Sequence, residues 1–222
     1  MSHPRLSFIA GLTLLAGALL VGGAGLCHPL LSGDGPSQLE TIGATSAWRA
    51  VHLSLIAGEI LLVAGVAGFA LRHADTPGAG VTRAGALLFA LGVGLALVQI
   101  LFMVGAASAL AGAYARGYPG IAATQAVFMY DMFHPFAQIA GRSGELAMGL
   151  ALAVIGWGTV GGGLLPRWLG YSGVVAGVLC ALWAVGMRED DPRLMAGVGL
   201  VTVWALASGV VLVVGRTAPL RA

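Results

Sequence analysis

The chain has 222 residues, 58% of them hydrophobic and only 9% charged, and its formal net charge is +2. A soluble domain carries roughly 25% charged residues, so this composition predicts an integral membrane protein whose surroundings are the lipid bilayer. The small net charge, with no basic block, excludes a nucleic-acid-binding surface.

Six apolar runs follow one another along the chain, each long enough to cross a hydrocarbon core about 30 Å thick. The first run follows Arg5 and is longer than the apolar part of a secretory signal, so we expect it to be retained as a span. Gly, Pro and Asp punctuate the short breaks between runs. The sequence therefore predicts an all-α membrane protein, a six-transmembrane-helix bundle in a single domain (residues 1–222), with spans at about 6–26, 48–71, 83–111, 136–159, 168–187 and 194–215.

The arginines predict the orientation of this bundle. With the N-terminus in the cytoplasm, six arginines lie on the cytoplasmic side and four on the outer side, in agreement with the positive-inside rule. Tryptophans then stand near both interfaces, for example Trp48 at an outer end and Trp157 at an inner end. We therefore expect an N-in, C-in topology.

A weak internal repeat relates the second and fourth spans. The segment SLIAGEILLVAGVAG, around Glu59, aligns with AGRSGELAMGLALAV, around Glu145, at an offset of 86 residues. Both spans run in the same direction in the predicted topology. The hairpin of spans two and three and the hairpin of spans four and five would therefore form a parallel repeat, not the inverted kind found in many transporters.

Three stretches carry a family resemblance: CHPLLSGDG after the first span, WRAVHLSLIAGE at the start of the second, and LPRWLGYSGVVAGVL at the start of the fifth. Over most of its length the chain resembles the DUF4386-like group of small bacterial membrane proteins. The resemblance implies a six-span bundle in the bacterial cytoplasmic (inner) membrane. It implies no catalytic residues, because the group has no established activity.

Polar side chains interrupt the second and fourth spans at helical spacing. His52 and Glu59 are seven residues apart, and so are Gln138 and Glu145, which is nearly two turns and places each pair on one helix face. Glu59 and Glu145 have similar expected depths near the bilayer midplane, where a bare charge is costly. The spacing therefore predicts an intramembrane polar cluster in the outer half of the bundle, formed by His52, Glu59, Gln138, Arg142 and Glu145, in which Arg142 contacts one of the glutamates.

Two roles for this cluster stay open at the level of sequence. It can be a structural clamp that fixes the register of the helices, or a functional cavity that opens to the outer side. The segment TQAVFMYDMF (124–133) precedes His134 and mixes aromatic, methionine and acidic residues, which suits the membrane interface. We expect this segment to form a short helix or ordered loop that helps to cover the site.

Three histidines are expected near the outer surface, where they could hold a metal or haem: His28, His52 and His134. Cysteine and methionine donors that copper accepts lie close to them in the sequence. Haem would need two histidines facing each other, and His52 with His134 is the pair at matching depth. The alternative, in which each histidine contacts headgroups or caps a helix, stays open because no helix carries paired metal-ligand spacing.

These features favour three roles. The first is binding of a small ligand or cofactor at the polar cluster, or service as an accessory subunit of a membrane complex, with membrane-protein partners or further copies of the chain. The second is proton-linked transport of a small solute, with Glu59 and Glu145 as the carrier pair. The third is a haem- or copper-binding redox protein. No nucleophile elbow, Walker loop or His-Glu-x-x-His motif occurs, so no enzymatic activity is predicted.

Overall fold

The computed structural model describes residues 3–117, 120–186 and 194–215. Within these ranges the chain is almost entirely helical, which confirms the predicted all-α class. The helices in chain order are α1 (His3–Cys27), α2 (Gly35–Ala44), α3 (Trp48–Arg72), α4 (Ala79–Phe102), a π-helical turn (Met103–Ala107), α5 (Ser108–Arg116), α6 (Ala123–Gly162), α7 (Arg167–Gly186) and α8 (Leu194–Val214).

Six helices in the described ranges are long and apolar enough to cross a membrane. They correspond to the six predicted spans, but two of them exceed the predicted bounds. The third continues from Ala79 through the π-helical turn to Arg116, and the fourth begins at Ala123, with Pro135 inside the helix instead of in its first turn. These two helices have 38 and 40 residues. At 1.5 Å per residue each is nearly 60 Å long, about twice the thickness of a hydrocarbon core, so one end of each extends beyond it.

The six long helices form a closed ring. Each packs against the next in the order α1, α3, α4, α6, α7, α8 and back to α1. Short connections make consecutive helices antiparallel, so an even number of crossings brings the start of α1 and the end of α8 to the same face of the bundle. The outside of the ring carries exposed apolar side chains such as Leu87 and Val185, which suits contact with lipid.

Glycines make the closest contacts between neighbouring helices. A Cβ added at Gly58 in α3 would lie 3.0 Å from the Gly17 carbonyl oxygen in α1, and one added at Gly92 in α4 would lie 2.8 Å from the Gly144 carbonyl oxygen in α6. Such small residues let the backbones of membrane helices approach closely. The same arrangement occurs between α6 and α7 and between α1 and α8, at Gly149, Gly156, Gly170, Gly177, Gly11 and Gly209.

A second, smaller cluster of buried side chains joins α2 to those ends of the two longest helices that extend beyond the hydrocarbon layer. Leu39 of α2, Leu110 of α5 and Tyr130 of α6 are among its buried side chains. The Tyr130 hydroxyl donates a 2.7 Å hydrogen bond to Gln38 Oε1. We call this layer the cap: α2, α5 and residues 123–134 of α6. The segment at 124–133 is helical, as predicted, but it is the first part of α6 and not a separate helix.

Candidate functional site

A small enclosed cavity lies inside the ring, and both intramembrane glutamates line it. Glu59 comes from α3 and Glu145 from α6, while Cys180 of α7 stands beside them. The cavity has room for about one water molecule. The remaining lining side chains come from α1, α3, α6 and α8 and are almost all apolar: Val21, Leu62, Met148, Val198, Val201 and Thr202. The structure thus brings together the two carboxyl groups that the sequence placed at equal depth.

The two carboxyl groups have few partners in this cavity. Glu59 is 6% exposed, and its Oε2 atom is buried without a hydrogen-bond partner. Glu145 lies near enough for the two groups to repel each other when both are charged. The Cys180 thiol donates a 3.6 Å hydrogen bond to the backbone carbonyl of Glu145, so it bonds the backbone of α6 and not the carboxyl group. A pair of acids among mostly apolar side chains is therefore the main polar feature of this cavity.

Arg142 has two guanidinium nitrogen atoms without a hydrogen bond. Its Nε and Nη2 atoms are buried and have no hydrogen-bond partner. The guanidinium still attracts Glu145 through space, one turn further along α6. Arg142 and Glu145 are three residues apart, so they lie about 60° apart around the helix on adjoining parts of its surface, but Arg142 is not among the residues that line the cavity. Neither of these two nitrogen atoms therefore forms the predicted contact of Arg142 with a glutamate.

Gln138 of the predicted polar cluster and His134, a predicted metal or haem ligand, do not join the two glutamates in the cavity lining. Gln138 is half-buried and bonds to no described side chain. His134 is 7% exposed and stacks on Tyr130, with ring centroids 4.5 Å apart, and on Phe102 at 6.1 Å. In the described part of the chain, His134 has no ring contact or hydrogen bond with His52. The structure therefore places His134 in the aromatic packing between the cap and the ring.

A pair of histidines lies at the cap end of the ring, two turns of α3 away from Glu59. His28 Nε2 and His52 Nε2 are 3.3 Å apart. The other ring nitrogen of each bonds a backbone carbonyl at 2.8 Å, His28 Nδ1 to Pro29 and His52 Nδ1 to Trp48. The Trp48 indole packs on both imidazoles, with centroid distances of 5.4 Å and 4.3 Å.

Accessibility differs between the two histidines. His52 is 1% exposed, whereas His28 is half-buried at the end of α1. Burial lowers the pKa of His28, and the hydrogen bond to the Pro29 carbonyl offsets part of that effect. At neutral pH His28 is therefore mainly uncharged, and the pair has one inaccessible member and one that reaches the surface.

The sequence missed two of the side chains that shape these sites. Cys180 lines the glutamate cavity, but a single cysteine within an apolar run carries no positional signal. Trp48 was assigned to an interfacial belt, whereas it is 3% exposed and its Nε1 donates a 3.0 Å hydrogen bond to the Met103 carbonyl. That carbonyl belongs to the π-helical turn, which a sequence pattern does not reveal.

No family model matches the chain, and no curated protein or solved structure is significantly similar to it. The fold and the cavity nevertheless define a class. This is a helical protein with six helices able to span a membrane and a buried pair of acidic side chains at the centre of the ring. Among the described residues, no three His, Cys, Asp or Glu side chains are grouped so that they could hold a metal ion.

Proposed function

We propose that this protein binds and releases a proton at the Glu59–Glu145 pair, as a proton-linked carrier of a small solute. The observation that carries the proposal is the location of two carboxyl groups in one apolar cavity of the bundle, with Glu59 Oε2 buried and unbonded. Two negative charges in such a medium are costly and exceed the single positive charge of nearby Arg142, so one proton on the pair removes the excess.

The size and lining of the cavity favour a proton over larger ligands. Space for about one water molecule does not accommodate an organic ligand or a haem. A hard metal cation takes at least six oxygen ligands, whereas Thr202 is the one lining side chain besides the glutamates that carries oxygen, and its hydroxyl donates to the Val198 carbonyl at 2.9 Å. The carrier role is therefore better supported than binding of a small ligand or cofactor at this cavity.

The location and orientation belong to the same proposal. We place the protein in a bacterial cytoplasmic membrane with both chain ends in the cytoplasm. The excess of arginines on that side supports this orientation, and the resemblance to the DUF4386-like group supports the compartment. The approach of Glu59 and Glu145 to one cavity from the second and fourth spans supports the parallel repeat of the two hairpins.

Infrared difference spectroscopy of the protein in lipid vesicles tests proton binding directly. The wild-type protein is expected to show the carbonyl stretch of a protonated carboxylic acid, which disappears as the pH is raised. The double variant Glu59→Gln with Glu145→Gln should remove this signal, and each single variant should change the pH at which it disappears. Glu40→Gln is the matched control, because Glu40 is an exposed glutamate on α2, and it should leave the signal unchanged.

Persistence of that signal in the double variant of Glu59 and Glu145, or its absence from the folded wild type at every pH, would contradict proton binding at this pair. The carrier part of the proposal has its own measurement. Vesicles that contain a pH dye should show a proton flux when a gradient of the transported solute is imposed across the membrane. Glu59→Gln should abolish that flux.

A further inference from the structure

The histidine pair at the cap end has an arrangement that a hydrogen bond between neutral rings cannot explain. A carbonyl oxygen only accepts hydrogen bonds, so both Nδ1 atoms must donate, to Pro29 and to Trp48. A neutral imidazole carries one N–H group, so each Nε2 is then a bare lone-pair acceptor. Two acceptors 3.3 Å apart repel each other unless a cation lies between them.

The geometry of the two rings fits a metal ion between them better than a linear N–H···N bridge. Two imidazole nitrogens about 2.0–2.1 Å from a tetrahedral zinc ion lie about 3.3–3.4 Å apart, and their ring centres lie about 5.2 Å apart. A linear N–H···N bridge of the observed length would hold the ring centres about 5.6 Å apart, because each centre lies about 1.15 Å behind its nitrogen. The observed values are 3.3 Å between the nitrogens and 5.0 Å between the centroids, with the ring planes inclined by 62°.

We propose that His28 and His52 form two ligands of a site for a borderline divalent transition metal, for which Zn²⁺ is the probe. The backbone carbonyls that accept from both Nδ1 atoms fix the tautomer and the ring orientation, which is the usual outer shell of a metal-binding histidine. Imidazole nitrogen is a preferred ligand of zinc and copper.

The site is partly open. Since His28 is half-buried and His52 is buried, the ion reaches the pair from the His28 side, and water or an exchangeable ligand completes its coordination there. The site is independent of the glutamate pair, because His52 and Glu59 are seven residues apart in α3, a rise of about 10 Å. Failure of one proposal therefore leaves the other unaffected.

Calorimetric titration with Zn²⁺ tests the site in the full-length, tag-free protein in detergent. The His3→Gln background removes the histidine near the N-terminus as a competing ligand. We expect one Zn²⁺ per chain, and we expect His28→Gln and His52→Gln each to weaken binding by at least about tenfold. His134→Gln is the matched control, a buried histidine of the aromatic packing, and should bind within about twofold of the background.

The thermal unfolding of each variant checks that it is folded. His28→Gln is the decisive variant, because His28 is half-buried and its replacement disturbs the packing less than replacement of the buried His52. A second readout uses Cu²⁺, which quenches nearby indoles: Cu²⁺ should quench the fluorescence of the background protein, and this quenching should fall strongly in Trp48→Phe. The proposal is overturned if the background protein binds no Zn²⁺, or if folded His28→Gln binds it as tightly as the background, or if His134→Gln loses binding to the same extent.

Discussion

At the scale of single residues, Arg142 shows how a guanidinium can have two of its three nitrogen atoms buried and unbonded. Its Nε and Nη2 atoms are buried and unpartnered, so the folded state already bears the cost of removing them from water. Replacing a buried polar group that lacks good partners by an apolar one of similar length is often neutral or stabilising. The Arg142 side chain is therefore expected to contribute little to the stability of the fold.

We predict that Arg142→Met changes the free energy of unfolding by less than about 1 kcal/mol, or increases it. The measurement is reversible unfolding in mixed detergent micelles. Arg49→Met on the exposed side of α3 controls for the loss of a positive charge. A loss of several kcal/mol specific to Arg142→Met would mean that the guanidinium forms a strong ion pair with a glutamate after all.

His73 is a second buried polar residue, at the end of the ring opposite the cap. It is fully buried, stacks on Phe69 with centroids 4.8 Å apart, and its Nδ1 donates to the Phe69 carbonyl at 3.0 Å, while Nε2 has no partner. Burial lowers the pKa of His73 below its ordinary 6.5, the hydrogen bond to Phe69 opposes this shift, and the neighbouring Arg72 adds to it. The folded protein therefore favours the neutral ring.

This shift makes a prediction about pH. Because the pKa is lower in the folded than in the unfolded chain, the unfolded chain binds more protons once the pH falls below about 6.5, and the folded state then loses stability. His73→Phe cannot be protonated and should lose less stability than the wild type between pH 7 and about pH 5. Parallel stability curves for the two proteins over that range would contradict the assignment of this effect to His73.

At the scale of helices, the glycine contacts determine how closely the ring can pack. A Cβ at Gly177 of α7 would overlap the Ala153 nitrogen and the Gly149 carbonyl oxygen of α6. These are backbone atoms, so no side chain can rotate out of the way. We predict that Gly177→Ala destabilises the protein by about 1–3 kcal/mol, measured by thermal or detergent unfolding.

Gly94→Ala in α4 is the control for this substitution, since nothing lies within 4 Å of the added carbon. It should be neutral or slightly stabilising, because alanine favours helix more than glycine does. If the two variants are equally stable, the close packing of α6 and α7 does not contribute in the way described.

Hydropathy and helical spacing were enough to predict the six membrane helices, but not all of their ends. The break predicted between the third and fourth spans is shorter in the structure, because α5 continues to Arg116 and α6 begins at Ala123. Residues in this region are too polar to read as a span. Their helical conformation is stabilised by tertiary packing on α2, through contacts such as Tyr130 with Gln38, which a local pattern does not contain.

At the scale of the whole molecule, sequence predicted the depth of the candidate site residues better than it predicted their partners. Glu59 and Glu145 do share one cavity, because their depths follow from counting residues along two helices. The rotation of each helix about its axis depends on glycine contacts with its neighbours. This rotation separates His134 from His52 and brings His28, from the end of α1, to His52 instead.

The glycine contacts are distributed unevenly around the ring. The closely packed glycines of α3 all face α1, those of α4 face α6, and α1 meets α8 through Gly11 and Gly209. No described glycine forms such a contact between α3 and α4, and between α7 and α8 the glycines meet side chains, Trp204 and Cys180. The ring thus contains two tightly joined groups of three helices, one formed by α8, α1 and α3 and the other by α4, α6 and α7.

Glu59 belongs to the first group and Glu145 to the second. Side-chain contacts reorganise more readily than backbone contacts, so we expect the two groups to behave as rigid bodies that can rock against each other along the α3–α4 and α7–α8 boundaries. Rocking would change the separation of the two carboxyl groups and with it the size of the cavity. A change in the charge of the acid pair would then shift the two groups of helices relative to each other. Such a shift would in turn alter how firmly the pair binds its proton.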